Sequence, residues 1–339
     1  MERVRVEDAV GMVVAHDLTK IVPDSFKGAA FKKGHIIRAE DIEELKRIGK
    51  NHIWAVTMND ARIHENEAAG RLARVVTGDG TTVLEALEGK SNIHASRQGL
   101  LQINLEALYA INELGNMALV TLHNNTMVQA KQLIASAKII PLTLERRVIE
   151  AGERISLDMH PVIQVKPLTA LKTGIIVTGT EVYEGRIHDR FGEVLKSKVA
   201  SYGGEVLDLR LAPDDADFIY CLIRKMIENG AEAILISGGM AVDADDVTPQ
   251  AIGRAAKDVV AYGIPLLPGA MGMVAYCGDI PIIGVPACAM FNKTTVLDII
   301  LPRIYAMERI KRSDLVALAH GGLCSRCGEC RFPFCSFGK

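Results

Sequence analysis

From Leu171 onward the chain alternates strand-like and helix-like stretches at a spacing that few folds accept. Thr173-Gly174-Ile175-Ile176-Val177-Thr178 and Ala233-Ile234-Leu235-Ile236-Ser237 are short apolar runs rich in β-branched residues, each followed by glycine. They are too short for buried helices and read as strands, with Glu205 to Leu211 as a third. Between them, Phe191, Val194, Leu195, Val199 and Tyr202 mark one helical face, closed by Gly203-Gly204. Asp214-Asp215 opens a second helix, and Ile219, Leu222, Ile223, Met226 and Ile227 follow the i, i+3, i+4, i+7, i+8 stripe up to Gly230. The order strand–helix–strand–helix–strand implies an α/β fold, a mostly parallel sheet flanked by helices. Ligands of such sheets lie beyond the carboxyl ends of the strands, where Gly179, Asp214 and Gly238-Gly239 fall. Further on, Met273–Tyr276 and Ile280–Gly284 flank Cys277-Gly278-Asp279 and read as a hairpin. Val285-Pro286-Ala287-Cys288 then turns into a helix through Phe291, Val296, Ile299 and Ile300, ending before Pro302.

The exit of the strand Ala233–Ser237 carries the most chemistry. Ser237-Gly238-Gly239 empties a buried run into a turn where the backbone can approach a ligand without Cβ atoms in the way. The loop beyond it holds Asp243, Asp245 and Asp246, and leads to Thr248-Pro249, an N-cap followed by a first helical residue. A glycine turn, carboxylates and a helix N-terminus together suit a phosphorylated ligand, with a divalent cation as mediator.

The earlier half alternates less cleanly. Residues 1–60 read as a small mixed unit. In it, Ala39-Glu40-Asp41 opens a helix carrying Ile42, Leu45 and Ile48, Gly49 stops it, and His52–Val56 is a strand. The basic stretch Phe26–Gly34 is either a phosphate loop or a solvated turn. Residues 61–168 form a mixed α/β region. It has a helix over Glu67–Val76, a second helix capped by Asn104 and stopped by Gly115, and a strand over Ala118–Leu122. Another helix and a strand at Ile139–Leu142 come next, then an extended crossing from Glu150 to Leu168. His123-Asn124-Asn125 at a strand exit is ordinary turn chemistry, and His64-Glu65 has no metal spacing.

Composition narrows the function. The formal net charge is −2, without a long Lys/Arg run, so nucleic acid is not an expected partner. No apolar segment approaches the ~20 residues that span a bilayer, and the N-terminus lacks an apolar signal region, so a cytoplasmic protein without membrane contact is expected.

Thr178-Gly179-Thr180-Glu181, Asp189-Arg190-Phe191-Gly192, Asp214-Asp215, Gly238-Gly239 and Asp246-Val247-Thr248-Pro249 resemble, in order, the signature of the molybdopterin-binding (MoaB/Mog) domain. Pro268-Gly269 and Ile283-Gly284-Val285-Pro286 look more specifically like the MoeA and gephyrin-type molybdopterin molybdenumtransferases. Val6–Asp17 and Gly34-His35-Ile36-Ile37 with Leu45–Gly49 are similar to that family's opening segment. The resemblance implies a molybdopterin-binding domain over 169–310 and a MoeA-like region over 1–60.

It further implies molybdenum cofactor biosynthesis: molybdate, or tungstate, is inserted into adenylylated molybdopterin with Mg2+, and AMP is released. On this reading Asp246, Asp214 and Asp189 take catalytic roles. Thr178, Gly179, Glu181, Asp215, Ser237, Gly238, Gly239, Asp243, Thr248 and Pro286 contact molybdopterin or molybdopterin–AMP. The sequence departs from the pattern at Phe191, Met240, Ala241, Asp243 and Ala287-Cys288. The alternative is a non-catalytic carrier or sensor that binds molybdopterin and docks a molybdoenzyme or another cofactor-assembly protein. A homo-oligomer is the default expectation.

Seven cysteines divide unevenly. Cys221, Cys277 and Cys288 stand singly in apolar segments and read as core residues. Cys324, Cys327, Cys330 and Cys335 crowd the stretch 320–339 in a Cys-x2-Cys-x2-Cys-x4-Cys pattern. In a reducing compartment this favours a metal-binding tail, with Zn2+ or an iron–sulfur cluster, over disulfides.

Overall fold

The computed structural model describes residues 2–22 and 26–339, and these divide into two compact units, 1–166 and 167–339.

The first unit begins with a three-stranded sheet in which His52–Val56 lies between Glu2–Arg5 and Val13–Val14. Leu18–Val22 pairs antiparallel with Phe26–Phe31, so part of the basic stretch read as a phosphate loop or turn is a strand. A helix over Asp41–Arg47 buries Leu45 against Val6, Val14, Ile37 and Ile53. In the rest of the unit, helix Glu65–Val76 buries Ala69, Leu72, Ala73 and Val76 along one stripe against the sheets. Asn104 caps helix Leu105–Glu113 as its sequence predicts, its side chain accepting from the N–H of Ala107 at 3.2 Å.

Two expectations fail in this unit. Residues 123–139 contain the strands Met127–Val128 and Leu133–Ile139 in place of a helix. The expected extended crossing from Glu150 is largely helix, Arg146–Asp158, followed by the strand Ile163–Lys166. Gly152 lies inside that helix. It sits buried where a Cβ would come within 3.1 Å of Met117, so it allows close packing and does not break the helix.

The second unit is a six-stranded sheet with helices on both faces. Its strands are β1 (Lys172–Thr178), β2 (Glu205–Ala212), β3 (Ala233–Ser237), β4 (Asp258–Tyr262), β5 (Met273–Cys277) and β6 (Ile280–Val285). Their spatial order is β2-β1-β3-β6-β5-β4. The β2, β1, β3 and β6 strands run parallel, while β5 and β4 pair antiparallel at one edge, so the sheet is mixed.

The two-residue period of a strand divides the apolar side chains between two cores. Ile175, Val177 and Leu235 face one core with helix Phe191–Ser201 and helix Val296–Tyr305. Ile176, Ile234 and Ile236 face the other with helix Ala216–Glu228 and helix Thr248–Ala255.

The last long helix also departs from expectation. Ala287–Met290 is a separate 3-10 turn, and the helix starts only at Thr295, which forms a capping box with Asp298. It runs through Pro302 without stopping there. Pro302 has no N–H for the carbonyl of Asp298 four residues back, and the Tyr202 hydroxyl approaches that oxygen at 3.5 Å.

Thr173 and Tyr305 tie this helix to β1. Their hydroxyls lie 2.7 Å apart in the core, and the Thr173 hydroxyl also donates to the Leu171 carbonyl. Burial pushes the Tyr305 phenol up from its ordinary pKa. Tyr305→Phe is expected to lower stability by about 1 kcal/mol, the usual net worth of such a bond, measured as a reduced urea midpoint at unchanged m-value.

The stretch 320–339 packs onto the second unit. Leu323 bridges Leu267, Cys324 donates its N–H to the Leu267 carbonyl at 2.8 Å, and Phe337 is buried. Of the three cysteines read as core, Cys221 is exposed and Cys277 and Cys288 are half-buried. Cys221 lies off the Ile219–Ile223–Met226 stripe that its helix turns inward.

Candidate functional site at the strand ends

The carboxyl ends of β1, β2 and β3 gather most of the residues singled out from the sequence. β1 ends in Thr178, and Gly179 follows with φ +142°. Asp214, just beyond β2, accepts on one oxygen from the Thr180 N–H at 2.8 Å and the Thr180 hydroxyl at 3.0 Å. The Asp214 N–H in turn donates to the Thr180 hydroxyl at 3.1 Å. Asp215 is the N-cap of helix Ala216–Glu228, accepting from the N–H groups of Asp217 and Phe218.

Asp189 does a similar job for helix Phe191–Ser201, accepting from the Gly192 N–H at 3.0 and 3.2 Å. Glu181 is exposed, with its carboxylate beside Gly179. Pro286 is buried at the end of β6. Thus three of the expected carboxylates hold loops and helix starts in place.

The glycine turn after β3 is the centre of the site. Gly238 has φ +92° and Gly239 φ +55°, and a Cβ on Gly238 would run into the Thr178 carbonyl. Such close passage explains why glycine is needed at both positions. Among the described residues, the N–H groups of Gly239, Met240 and Ala241 donate to no partner. The buried Ser237 hydroxyl likewise has none. Three successive free N–H groups after residues of positive φ make a concavity that attracts anions.

The following loop is pinned from two sides. The Tyr262 hydroxyl is shared between the carbonyls of Met240 and Ala241, at 3.0 Å each. Asp246 accepts from the Asp243 N–H at 2.8 Å, and its own N–H donates to the Asp243 carbonyl at 3.0 Å. Burial, followed by the nearby Asp246 carboxylate, raises the Tyr262 pKa, so the phenol keeps its proton and remains a donor.

Thr248 departs from its expected role. Val247 is the N-cap and Thr248 the first helical residue, buried, with its hydroxyl 3.2 Å from that of Thr178. It ties the helix to β1. Met240, the unusual residue after the glycines, is 3% exposed and packs against Gly284 of β6, where a Cβ would meet its Cε at 2.5 Å.

Tyr262 is the site residue that sequence reading missed. It belongs to an antiparallel edge strand and follows the loop by about twenty residues, so no local spacing signals it. Tyr262→Phe is expected to loosen residues 240–246 and weaken anion binding about fivefold, the equivalent of one net hydrogen bond. Titration with the natural ligand or a phosphate-bearing analogue would measure this.

Among the described residues, no group of three or more His, Cys, Asp or Glu is arranged to hold a metal ion. Asp243, Asp245 and Asp246 do not converge as a cage for Mg2+. All four tail cysteines are free; Cys330 lies 3.3 Å from the Thr294 hydroxyl, and Cys327 is exposed.

Comparison with known proteins bears on both units. Residues 174–306 match the family model described as a probable molybdopterin binding domain, and residues 3–57 match a domain of unknown function. The second unit therefore contains a molybdopterin-binding-type domain. A CinA-like protein from Mycobacterium tuberculosis (strain ATCC 25177 / H37Ra) is 35% identical over 83 residues, 24% of this chain and 19% of that protein. The CinA-like protein of Mycobacterium leprae (strain TN) is 33% identical over 87 residues, 26% of this chain and 20% of its own length. The chain thus spans about a fifth of the length of the curated relatives it matches.

Among solved structures, the molybdopterin biosynthesis enzyme MoaB from Thermus thermophilus is 21% identical, with a TM-score of 0.36, over 40% of this chain and 94% of that one. CinA from Thermoplasma acidophilum, described as of unknown function, is 18% identical with a TM-score of 0.32, over 35% and 90% of the two chains. No helix among the described residues is long and apolar enough to cross a membrane.

Proposed function

We propose that the second unit binds molybdopterin, or its adenylylated form, and serves molybdenum or tungsten cofactor assembly by holding that ligand for another component. The observation that carries this reading is the row of free N–H groups at Gly239, Met240 and Ala241, fixed in place by Tyr262. A phosphate accepts from such a row, and the carboxylates around it offer acceptors to the N–H edge of a pterin.

The binding role is favoured over metal insertion because the expected catalytic carboxylates are already engaged. Asp189 accepts from the Gly192 N–H, Asp214 holds Thr180 and Asp246 closes its loop. Insertion of molybdate or tungstate is the second reading, supported by the resemblance of Gly284-Val285-Pro286 to the transferase pattern. Turnover separates the two. Incubation with molybdopterin–AMP, Mg2+ and molybdate should show tight binding without AMP release. Molybdate-dependent AMP release would contradict the carrier reading.

A further inference from the structure

The first unit contains a charged cleft of about 270 Å³ that has no part in the site above. Asp17, Lys32, Lys33, Glu65, Glu88 and Lys138 line it, three carboxylates and three ammonium groups. Its innermost group is Glu65, the first residue of helix Glu65–Val76, and this side chain is only 3% exposed. Among the described residues its carboxylate accepts no hydrogen bond and joins no ion pair. The helix N-terminus supports its negative charge, but an unpaired buried carboxylate is otherwise unfavourable in a protein interior.

Two glycines make room for that carboxylate. Gly34 has φ +87°, and a Cβ there would come within 2.6 Å of Glu65 Oε1. Gly89 has φ +68°, and a Cβ there would come within 2.5 Å of Oε2. Neighbouring bonds fix both walls. The His64 ring lies 2.7 Å from the Gly34 carbonyl, and the Gly89 N–H donates to Asn66 Oδ1 at 2.6 Å.

The lysines are less committed. Lys32 pairs with Glu88 at 3.1 Å, and Lys138 donates to the Glu88 carbonyl. Lys33 donates its backbone N–H to Asp17 at 2.8 Å, while its ammonium has no partner among the described residues. The cleft therefore offers a buried acceptor at its base and cationic donors at its side. Equal numbers of positive and negative groups give it no preference for a simple anion or cation.

We propose that this cleft binds a small bipolar metabolite, its amine or amidine-type N–H group held by Glu65 and its carboxylate or phosphate held by Lys33 and Lys138. The volume is at the small end of ligand pockets, which fits a metabolite of amino-acid to mononucleotide size. Two ligand sources share this chemistry: an α-amino acid, with an ammonium donor, and a guanine nucleotide, with an amidine-type N–H edge.

Calorimetric titration of the full chain with L-glutamine and with GMP distinguishes them, with inorganic phosphate and ethylammonium as the separate halves. One of the two metabolites is expected to bind at least tenfold more tightly than either half. Glu65→Gln should lower that affinity tenfold or more, and so should Lys33→Met, which alters an exposed residue and no buried group. Asp246→Asn should leave it unchanged, which separates this cleft from the glycine turn. The proposal is overturned if neither metabolite binds, if a half binds as well as the whole, or if Lys33→Met binds like the parent.

Discussion

Gly238→Ala is expected to destabilise the second unit by about 3 kcal/mol and to abolish ligand binding. Alanine at φ +92° is strained, at ~1–3 kcal/mol for such backbone conformations. The added methyl would also meet the Thr178 carbonyl, and that oxygen belongs to a strand paired on both sides. Relief needs a shift of β1 or of the turn, and overpacking of this kind adds about 1–3 kcal/mol. Gly239→Ala is the internal comparison. Its methyl would meet the Thr248 hydroxyl at 2.8 Å, a side-chain group that can rotate, so about 1 kcal/mol is expected. Urea denaturation followed by near-UV circular dichroism ranks the two. Equal losses would mean that the turn is not held against β1 as described.

Asp246→Asn is expected to leave the fold intact and to weaken binding of molybdopterin–AMP about ten- to a hundredfold, or roughly 1.5–3 kcal/mol. An asparagine oxygen still accepts from the Asp243 N–H, so the loop stays closed and the substitution removes mainly charge. The direction of the effect is therefore informative. A carboxylate that merely closes the loop repels a nearby phosphate, and neutralising it would tighten binding. A carboxylate that accepts from the pterin N–H edge loses a charge-assisted bond, and binding weakens. Asp243→Gly removes an exposed charge beside the same turn and is expected to be neutral or to tighten phosphate binding. Titration of both variants, with and without magnesium, also shows whether a divalent cation contributes.

The inner strands β1, β3, β5 and β6 of the second unit were legible because each is buried on two faces. Ala233–Ser237 has no polar residue before its last, and only a strand between two helix layers accommodates that. Helix Ala216–Glu228 was equally plain, since its stripe and its Asp215 cap are local features. The mixed character of the sheet was less so, because β4 is a largely exposed edge strand and reads weakly.

In the first unit, short half-exposed strands such as Met127–Val128 and Thr81–Val83 leave little periodic signal. Their pairing is decided by distant partners. The same holds for the site. Gly238, Gly239 and Asp246 announce themselves in sequence, whereas Tyr262 acts on carbonyls that only the folded sheet edge brings near it. Asp189, Asp214 and Asp215 also stand out in the sequence, but the hydrogen bonds that they accept in the fold are set by the loops and helix starts beside them, since a carboxylate there is a frequent cap as well as a common catalytic group.

The central claim is that the strand ends of the second unit hold a phosphorylated pterin. Its most direct test is mass spectrometry of the small molecule that co-purifies with the native protein, or that it retains after incubation with molybdopterin. The expected result is molybdopterin or its adenylylated form, retained by the parent chain and lost from Gly238→Ala. A different nucleotide or cofactor in its place, or no retention of the pterin at all, would contradict the account.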